Sequence, residues 1–273
     1  MRLFDLHIHT NYSDGLYTVE EIIKKASAKN LDGIAITDHD TIDAVKYIIN
    51  NPIDKNNISV IPGIELGADV EGEEIHILGY CLNVENDILN DNLSMLKRDR
   101  FYRGLEIIDR LSSLGIKLDK ESIIEEARLH HNNFIGRALI ARKLVSEGHV
   151  MNIKEAFDKY LAEGKPAFIN RRKLSLEESI YLIEAANGIP ILAHPGIIKN
   201  KKVIDMAIKL GVKGIECFTS KHSKTDEKKF IEYCEINNLI ITGGSDYHGD
   251  TEILGRYYID IDKIELFKNR VFI

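Results

Sequence analysis

The sequence predicts an α/β fold: a mostly parallel sheet interrupted by a helical insertion. Short apolar runs rich in β-branched residues alternate with amphipathic stretches in the first and last thirds of the chain. Between them, from about residue 87 to residue 160, the apolar residues keep helical spacing and no convincing strand is present. At 273 residues, the chain has the length of one barrel of alternating strands and helices.

The first third has the element order β-α-β-α-β-β. Its strands are predicted at residues 5–9, 31–37, 59–66 and 74–82. Thr18-Val-Glu-Glu21 has the form of a capping box and begins the first helix, and the second helix reaches about Asn50. Residues 71–73 form the turn that joins the last two strands of this part.

The remaining elements define two predicted domains. We expect a barrel of residues 1–86 and 166–273 and a helical insertion of residues 87–165. The alternation resumes with a strand at Phe168-Ile169 and a second capping box at Ser175-Leu-Glu-Glu178. Later strands are predicted at residues 189–193, 214–218 and 239–242.

Composition excludes several classes of protein. The net charge of −7 disfavours binding of long duplex nucleic acid through a broad basic surface, so a phosphate ligand must be held locally. Cys81, Cys217 and Cys234 lie in apolar stretches without C-x-x-C spacing, which favours reduced, buried thiols. No basic leader and no apolar run long enough to span a bilayer is present, so we expect a cytoplasmic protein.

His7 and His9 are two residues apart in an apolar run, and Asp14 follows on the next turn. Alternation along a strand would turn both imidazoles to one side and Leu6 and Ile8 to the other. Both rings could therefore reach one ion from a rigid element.

Further histidines and carboxylates recur at strand ends. His39 follows the second strand, Glu65 ends the third and His76 lies in the fourth. His194 follows a later strand, Glu216 precedes Cys217 on another, and Asp246 and His248 follow the last one. In a parallel barrel the carboxyl ends of the strands form a single mouth, so these side chains should meet there.

This set contains more ligands than one ion can use, so two or three divalent ions are implied. The nine candidate metal ligands are His7, His9, Asp14, His39, Glu65, His76, His194, Asp246 and His248. Glu65 is the natural bridge because its two oxygens can serve two ions. Imidazole and carboxylate ligands without thiolate suit Mn, Fe or Zn. Asp5, Asp38 and Asp40 either orient imidazoles from behind or serve as turn and cap residues.

The motifs resemble those of the PHP (polymerase and histidinol phosphatase) family of phosphoesterases. The resemblance rests on H-x-H with Asp14, T-D-H-D at 37–40, G-I-E at 63–65, His76, H-P-G at 194–196 and S-D-Y-H at 245–248. It implies a distorted seven-stranded barrel with a trinuclear metal centre. By this resemblance the first ion is held by His7, His9, Glu65 and Asp246, the second by Glu65, His76 and His194, and the third by Asp14, His39 and His248.

The insertion is similar to that of family members that remove phosphate from 3′,5′-nucleoside bisphosphates, some of which trim short 5′-phosphorylated oligonucleotides. Residues 135–142 look like their insertion signature, and residues 160–168 resemble the segment that follows it. The chain differs at Leu139, where such relatives commonly carry His. The implied partner is a small phosphorylated substrate, with no membrane, and a monomer is compatible with the sequence.

Hydrolysis of a phosphate monoester requires on the order of 20 kcal/mol of transition-state stabilisation. Clustered ions meet this demand by acidifying a bridging water into a hydroxide nucleophile and neutralising charge on the phosphoryl oxygens. A cationic group outside the metal ligands should bind the phosphate, and Arg137 and His222 are the candidates.

Three alternatives stay open at this point. A metal-dependent amidohydrolase or deaminase also begins with H-x-H, although it often uses a carboxylated lysine where this chain has Glu65. A histidinol-phosphate phosphatase of the same family is disfavoured by the long insertion. A silent metal-binding module is disfavoured because every expected ligand is present.

Overall fold

The structure is a computed structural model that describes residues 1–51, 53–129, 135–170, 173–249, 251–268, 270 and 272–273. The chain divides into two compact units. The first, the barrel unit, comprises Met1–Asp91 and Lys173–Ile273, and the second, the insertion unit, comprises Asn92–Arg172. The predicted domain boundaries at 86/87 and 165/166 lie a few residues before these divisions, and they stay a prediction.

The barrel unit contains all the strands found in the described ranges. They are β1 (Leu3–Ile8), β2 (Gly33–Ile36), β3 (Ser59–Val70), β4 (Glu73–Tyr80), β5 (Leu174–Ser175), β6 (Ile189–Leu192), β7 (Gly214–Phe218), β8 (Ile240–Gly243) and β9 (Ile259–Asp260). The count of nine exceeds the seven expected, and two of the nine, β5 and β9, have only two residues each.

The strands form one sheet in the order β8-β7-β6-β4-β3-β2-β1-β9, with β5 beside β3. The pairs β1/β2, β2/β3, β6/β7 and β7/β8 are parallel, whereas β4 is antiparallel to both of its neighbours. After β8, Tyr247 forms a parallel bridge to Ile8 of β1, so the sheet nearly closes on itself. This is the α/β barrel-like sheet that the alternation predicted.

Helices accompany the strands as expected. Those of the described residues are α1 (Val19–Ala28), α2 (Asp43–Asn50), α3 (Asp87–Ser113), α4 (Lys120–Leu129), α5 (Arg137–Ser146), α6 (Ile153–Ala156), α7 (Leu176–Ala185), α8 (Lys202–Lys209) and α9 (Lys224–Asn237). Thr18 caps α1 and Ser175 caps α7, and both are complete capping boxes with a glutamate three residues later. None of the described helices is both long and apolar enough to cross a bilayer.

The insertion unit is helical in its described part. It holds most of α3, then α4, α5, α6 and a π-helix at Phe157–Leu161. Its own apolar core includes Leu111, Ile123, Ile140 and Leu161. Leu139 is also buried in this core, so it serves as an apolar packing residue.

The strand expected at Phe168-Ile169 is absent, because these residues are irregular in the structure. Their carbonyl groups bond to arginine side chains instead of a neighbouring strand. Arg110 Nη1 donates to Phe168 O at 3.0 Å, and Arg103 Nε donates to Ile169 O at 2.7 Å. The pairing resumes only at β5.

A β-bulge in β1 interrupts its regular pairing with β2. Asp5 pairs with Ile34 and Ile8 with Ile36, so three steps along β1 match two along β2. Phe4 and Leu6, two residues apart, both belong to the apolar core cluster that includes Ile61 of β3, as alternation predicts. Bulges often lie near functional sites, and this one lies in the segment that carries His7.

Candidate metal centre

The nine predicted ligands all belong to the barrel unit, where the structure brings them together at the ends of its strands. Glu65 on β3 lies at the middle. Its Oε2 is 3.2 Å from His7 Nε2, from His9 Nε2 and from His39 Nδ1. Its Oε1 is 2.9 Å from His76 Nδ1 and 3.2 Å from His194 Nε2. One buried carboxylate therefore divides its two oxygens between two sets of imidazoles.

Asp246 lies beside the first of these sets. Its Oδ1 is 3.4 Å from both His7 Nε2 and His9 Nε2. His7, His9, Glu65 and Asp246 are all buried, and one ligand atom from each lies within 4.8 Å of the others. This is a four-ligand group of mixed nitrogen and oxygen donors, which suits a transition-metal ion.

Two further groups adjoin the first. His9, Asp14, His39 and His248 form one, and His39, Glu65 and His76 form the other. Asp14 Oδ1 is 3.3 Å from His248 Nε2, and Asp14 Oδ2 is 3.8 Å from His39 Nε2. The geometry thus gives His39 two neighbouring groups. It also leaves His194 outside these three groups, although His194 contacts Glu65.

Several atoms of this cluster are buried without a hydrogen-bond partner among the described residues. They are His7 Nε2, both ring nitrogens of His9, Glu65 Oε2, His76 Nδ1 and His194 Nδ1. A buried polar atom without a partner is costly and calls for an explanation such as an ion. Divalent ions bound among these donors would supply the missing partners, so the residues fit the metals that the sequence predicts.

The surroundings raise the pKa of three imidazoles in the site and lower the pKa of a fourth. Burial opposes the charge on His7 and His9, but the nearby carboxylates outweigh it. They raise the pKa of His7 well above its usual range and that of His9 to about 9. Glu65 likewise raises the pKa of His76 to about 10 against the effect of burial. At His39 burial wins and lowers the pKa to about 3, so that ring is neutral near pH 7.

The carboxylates behave in the complementary way. Burial favours their neutral form, yet the surrounding imidazoles hold the pKa of Glu65 and Asp246 well below the usual range. Hydrogen bonding to His248 and the electrostatic interaction with the neighbouring His9 and His39 rings do the same for the pKa of Asp14. The carboxylates are therefore ionised at neutral pH and ready to bind cations.

Two ligand candidates have an unusual backbone conformation. His194 has φ 27° and Asp246 has φ 54°, both in the left-handed region that non-glycine residues rarely adopt. Such conformations persist only when the surrounding structure imposes them, and they cluster at functional sites.

Asp5, Asp38 and Asp40 hold backbone and hydroxyl groups in place. Buried Asp5 accepts from the backbone N–H of Ser245 at 2.8 Å and of Gly255 at 2.9 Å, and burial raises its pKa to about 6. Asp38 accepts from the backbone and hydroxyl of Thr10, and Asp40 accepts from the N–H of Gly67. These bonds join segments that are far apart in the sequence.

The carboxylate behind an imidazole is instead Glu216 of β7. Its Oε1 lies 2.9 Å from His7 Nδ1, and its Oε2 accepts from the backbone N–H of His194 at 2.9 Å. The sequence analysis noted Glu216 on its strand but did not place it among the metal ligands. The available signal was a carboxylate in the middle of the buried strand Gly214–Phe218, which is unfavourable unless it is paired.

The two candidates for binding phosphate have different surroundings. Half-buried His222 has its Nδ1 2.9 Å from Cys217 O, and its Nε2 accepts from the backbone N–H of Gly196 at 2.9 Å. Both ring nitrogens are therefore bonded to backbone. Lys221, its neighbour, has Nζ 3.4 Å from Asp246 Oδ2.

Arg137 belongs to the insertion unit. Its Nη1 donates to Leu161 O at 3.3 Å, and its guanidinium lies 5.8 Å from the ring centre of Phe157 and 5.6 Å from that of Phe168. These contacts hold the side chain within its own unit. The roles of Arg137 and His222 toward phosphate stay predictions.

Chemically, the arrangement can hold more than one divalent ion around a shared carboxylate. Closely spaced ions suit hydrolysis of phosphate esters, because they bind both the nucleophile and the phosphoryl oxygens.

Comparison with known proteins agrees with this chemistry. The PHP domain family matches residues 5–174. A 3′,5′-nucleoside bisphosphate phosphatase of Chromobacterium violaceum is 28% identical over 92% of this chain and 89% of its own length. A 5′-3′ exoribonuclease of Haemophilus influenzae is 30% identical over 90% of this chain and 89% of its own.

A solved structure from Bifidobacterium adolescentis, assigned as a metal-dependent phosphoesterase, has the same fold. It aligns with a TM-score of 0.76 and 25% identity, over 95% of this chain and 93% of its own length.

Proposed function

The chain belongs to the PHP domain family, and from that premise we propose that it is a metal-dependent phosphoesterase that hydrolyses phosphate monoesters of nucleotides. The observation that supports this proposal most directly is the position of Glu65, whose two oxygens face two sets of imidazoles at 2.9–3.2 Å. A bridging carboxylate between such sets supports closely spaced ions, which is the arrangement that phosphoryl transfer to water requires.

We propose three divalent ions, of Mn, Fe or Zn, in a trinuclear centre. His7, His9, Glu65 and Asp246 would hold the first, Glu65, His76 and His194 the second, and Asp14, His39 and His248 the third. The buried, unpartnered nitrogens support this assignment, and so do the short distances from Asp14 to His248 and from His194 to Glu65. When bound, the ions supply an acidified water and charge neutralisation.

The protein residues prepare the site for that chemistry. Ionised Glu65, Asp14 and Asp246 provide the negative charge that attracts cations, and neutral His39 needs no deprotonation before it binds. The left-handed backbone of His194 and Asp246 helps to set the directions of their side chains.

The substrate we propose is a 3′,5′-nucleoside bisphosphate or a nucleoside monophosphate, with short 5′-phosphorylated oligonucleotides as further substrates. Two relatives support this substrate class. One is named a 3′,5′-nucleoside bisphosphate phosphatase and the other a 5′-3′ exoribonuclease, and each aligns over about nine-tenths of the chain. Arg137 and His222 stay our candidates for contact with the phosphate, and Lys221 adds a cation beside Asp246.

A panel of substrates tests this function. Phosphate release would be measured with Mn²⁺ on nucleoside bisphosphates, mononucleotides, histidinol phosphate and 5′-phosphorylated dinucleotides. We expect release from the nucleotides and its loss in His9→Ala, with His149→Ala of the insertion unit as the matched control. Preferred hydrolysis of histidinol phosphate would instead assign the chain to that phosphatase. Deamination of a cyclic substrate without phosphate release would assign it to the amidohydrolases.

We also propose a cytoplasmic location for a protein that binds small phosphorylated molecules, and its sequence is compatible with a monomer. Nucleotide substrates and three free, buried cysteines support a reducing compartment. Fractionation of cells and light scattering of the purified protein test these two points.

A further inference from the structure

Glu216 combines complete burial with two directed contacts to the metal-ligand shell. It lies in the middle of β7, and its side chain is 0% exposed. Burying an ionised carboxylate is unfavourable unless both of its oxygens are paired. Here Oε1 meets the His7 ring at 2.9 Å and Oε2 accepts the His194 N–H at 2.9 Å.

The contact with His7 determines which nitrogen of that ring is available to an ion. An ionised carboxylate is only an acceptor, so His7 Nδ1 must carry a proton and donate it to Glu216. In the metal-binding, neutral form of the ring, the lone pair is then on Nε2. That atom faces Glu65 and Asp246, at 3.2 and 3.4 Å.

The contact with His194 acts on the backbone. His194 has φ 27° and ψ 58°, a strained conformation that needs support from its surroundings. The bond from its N–H to Glu216 gives that support. The ring of His194 reaches Glu65 Oε1 from this position.

We propose that Glu216 is a positioning residue that prepares two ion positions together, one through the tautomer of His7 and the other through the backbone of His194. The inference rests on the proposed function only in assuming ions on both sides of Glu65. It adds an outer residue that sets ligand direction for two ions from one side chain.

Glu216→Gln is a sharp test, because it keeps the size of the side chain and removes one acceptor. The two partners present two N–H donors, and an amide offers one oxygen and one NH₂ group. If the amide oxygen keeps accepting the backbone N–H of His194, the NH₂ group faces His7 Nδ1. Nδ1 must then accept, which moves the ring proton to Nε2 and blocks the ligand atom.

The experiment uses metal-stripped full-length protein titrated with Mn²⁺ alone, followed by calorimetry and by metal analysis after dialysis. Glu227→Gln is the matched control, since Glu227 is a nearly buried glutamate on α9 that pairs with Lys224. We expect Glu216→Gln to bind Mn²⁺ about 10- to 100-fold more weakly, as loss of a residue that orients a metal-ligating histidine does. Affinity equal to that of the control, in a folded variant, would overturn the proposal.

A second measurement, on the wild-type protein, tests the proposal even if the Glu216→Gln variant does not fold. Nitrogen-15 shifts of the histidine rings in the wild-type protein loaded with diamagnetic Zn²⁺ report which nitrogen of His7 carries the proton. A protonated Nδ1 and a metal-bound Nε2 support the proposal, and the reverse assignment overturns it. If the protein binds ions in this way yet releases no phosphate from any substrate, only the proposed function fails.

Discussion

Glu65 Oε1 lies 2.9 Å from His76 Nδ1, while the other oxygen of the same carboxylate lies 3.2 Å from His39 Nδ1. β3 and β4 are antiparallel neighbours, with Gly67 opposite His76, so sheet register fixes the first contact. The isolated bridge between His39 and Glu65 fixes the second. The position of the bridging carboxylate is therefore set by backbone pairing, and this makes it a sensitive point for mutation.

Glu65→Gln should lower phosphate release by roughly 1000-fold, equivalent to about 4 kcal/mol of transition-state stabilisation. The amide has no charge, and its NH₂ group must face one of the two imidazole sets. Turnover with saturating Mn²⁺ and the metal content per chain measure the effect. Glu177→Gln, an exposed change at the start of α7, is the control. Equal turnover in the two variants would contradict a bridging role.

Removal of Asp14 should remove one ion while the others stay. Asp14 contacts His248 and His39 but lies outside the group of His7, His9, Glu65 and Asp246. Asp14→Ala should therefore bind about one Mn²⁺ fewer per chain than the wild type, whereas His9→Ala, a member of two groups, should lose more. Metal analysis by mass spectrometry distinguishes the two. Wild-type stoichiometry in Asp14→Ala, or loss of every ion from it, would argue against a separate ion position at Asp14.

Metal affinity should rise with pH between about 7 and 9. The pKa of His9 is about 9 and that of His76 about 10 in the metal-free protein, so protons occupy these rings at neutral pH and must leave when an ion binds. Stabilisation of the metal-free protein by charged His9 has the opposite trend. It is complete below about pH 6.5, the ordinary pKa of histidine, and is lost as the pH rises through 9.

Calorimetry of Mn²⁺ binding in buffers with different ionisation enthalpies measures the protons released at each pH. Affinity that stays constant from pH 7 to 9, with no proton release, would show that these rings do not hold the ions.

Asp5→Asn should destabilise the loop that carries Asp246. Asp5 gives one oxygen to the N–H of Ser245 and the other to that of Gly255, and an amide can accept only one of these bonds. We expect a loss of about 1–3 kcal/mol in the free energy of unfolding, measured by urea denaturation of the metal-free protein. A variant as stable as the wild type would show that the two bonds contribute little.

His222→Ala separates a structural role from a phosphate-binding role. The ring links Cys217 O to the Gly196 N–H, so its removal should destabilise the metal-free protein by about 1–3 kcal/mol. Thermal unfolding and the KM for a nucleotide are the two readouts. A large rise in KM with unchanged stability would instead support the direct contact with phosphate that the sequence suggested.

Much of the fold follows from local sequence signals. The alternation of apolar runs and capping boxes predicted the α/β barrel-like sheet, because both signals depend on neighbouring residues. The prediction of a strand at Phe168-Ile169 was wrong, because arginine side chains from α3 bond to the carbonyl groups of these residues. Partners that are distant in sequence leave no local pattern. The bulge at Asp5–Ile8 is equally invisible in the apolar pattern of β1.

The site, like the fold, has parts that the sequence predicted and parts that it did not. Its nine ligand candidates could be named because the ends of barrel strands share one mouth. The structure brings eight of them into three adjoining groups and places the ninth, His194, against Glu65. Glu216 was noted on its strand but given no role, because its partners, His7 and the backbone of His194, are distant in sequence. The bonds of His222 to backbone were missed for the same reason. Contacts of this kind depend on the relative placement of whole strands.

The most direct test of the central claim is phosphate release from a 3′,5′-nucleoside bisphosphate as Mn²⁺ is added in steps to metal-stripped protein. If clustered ions around Glu65 act together, activity should stay low through the first equivalent and rise with the second and third. Full activity at one equivalent, or release of phosphate that does not depend on added metal, would contradict the account.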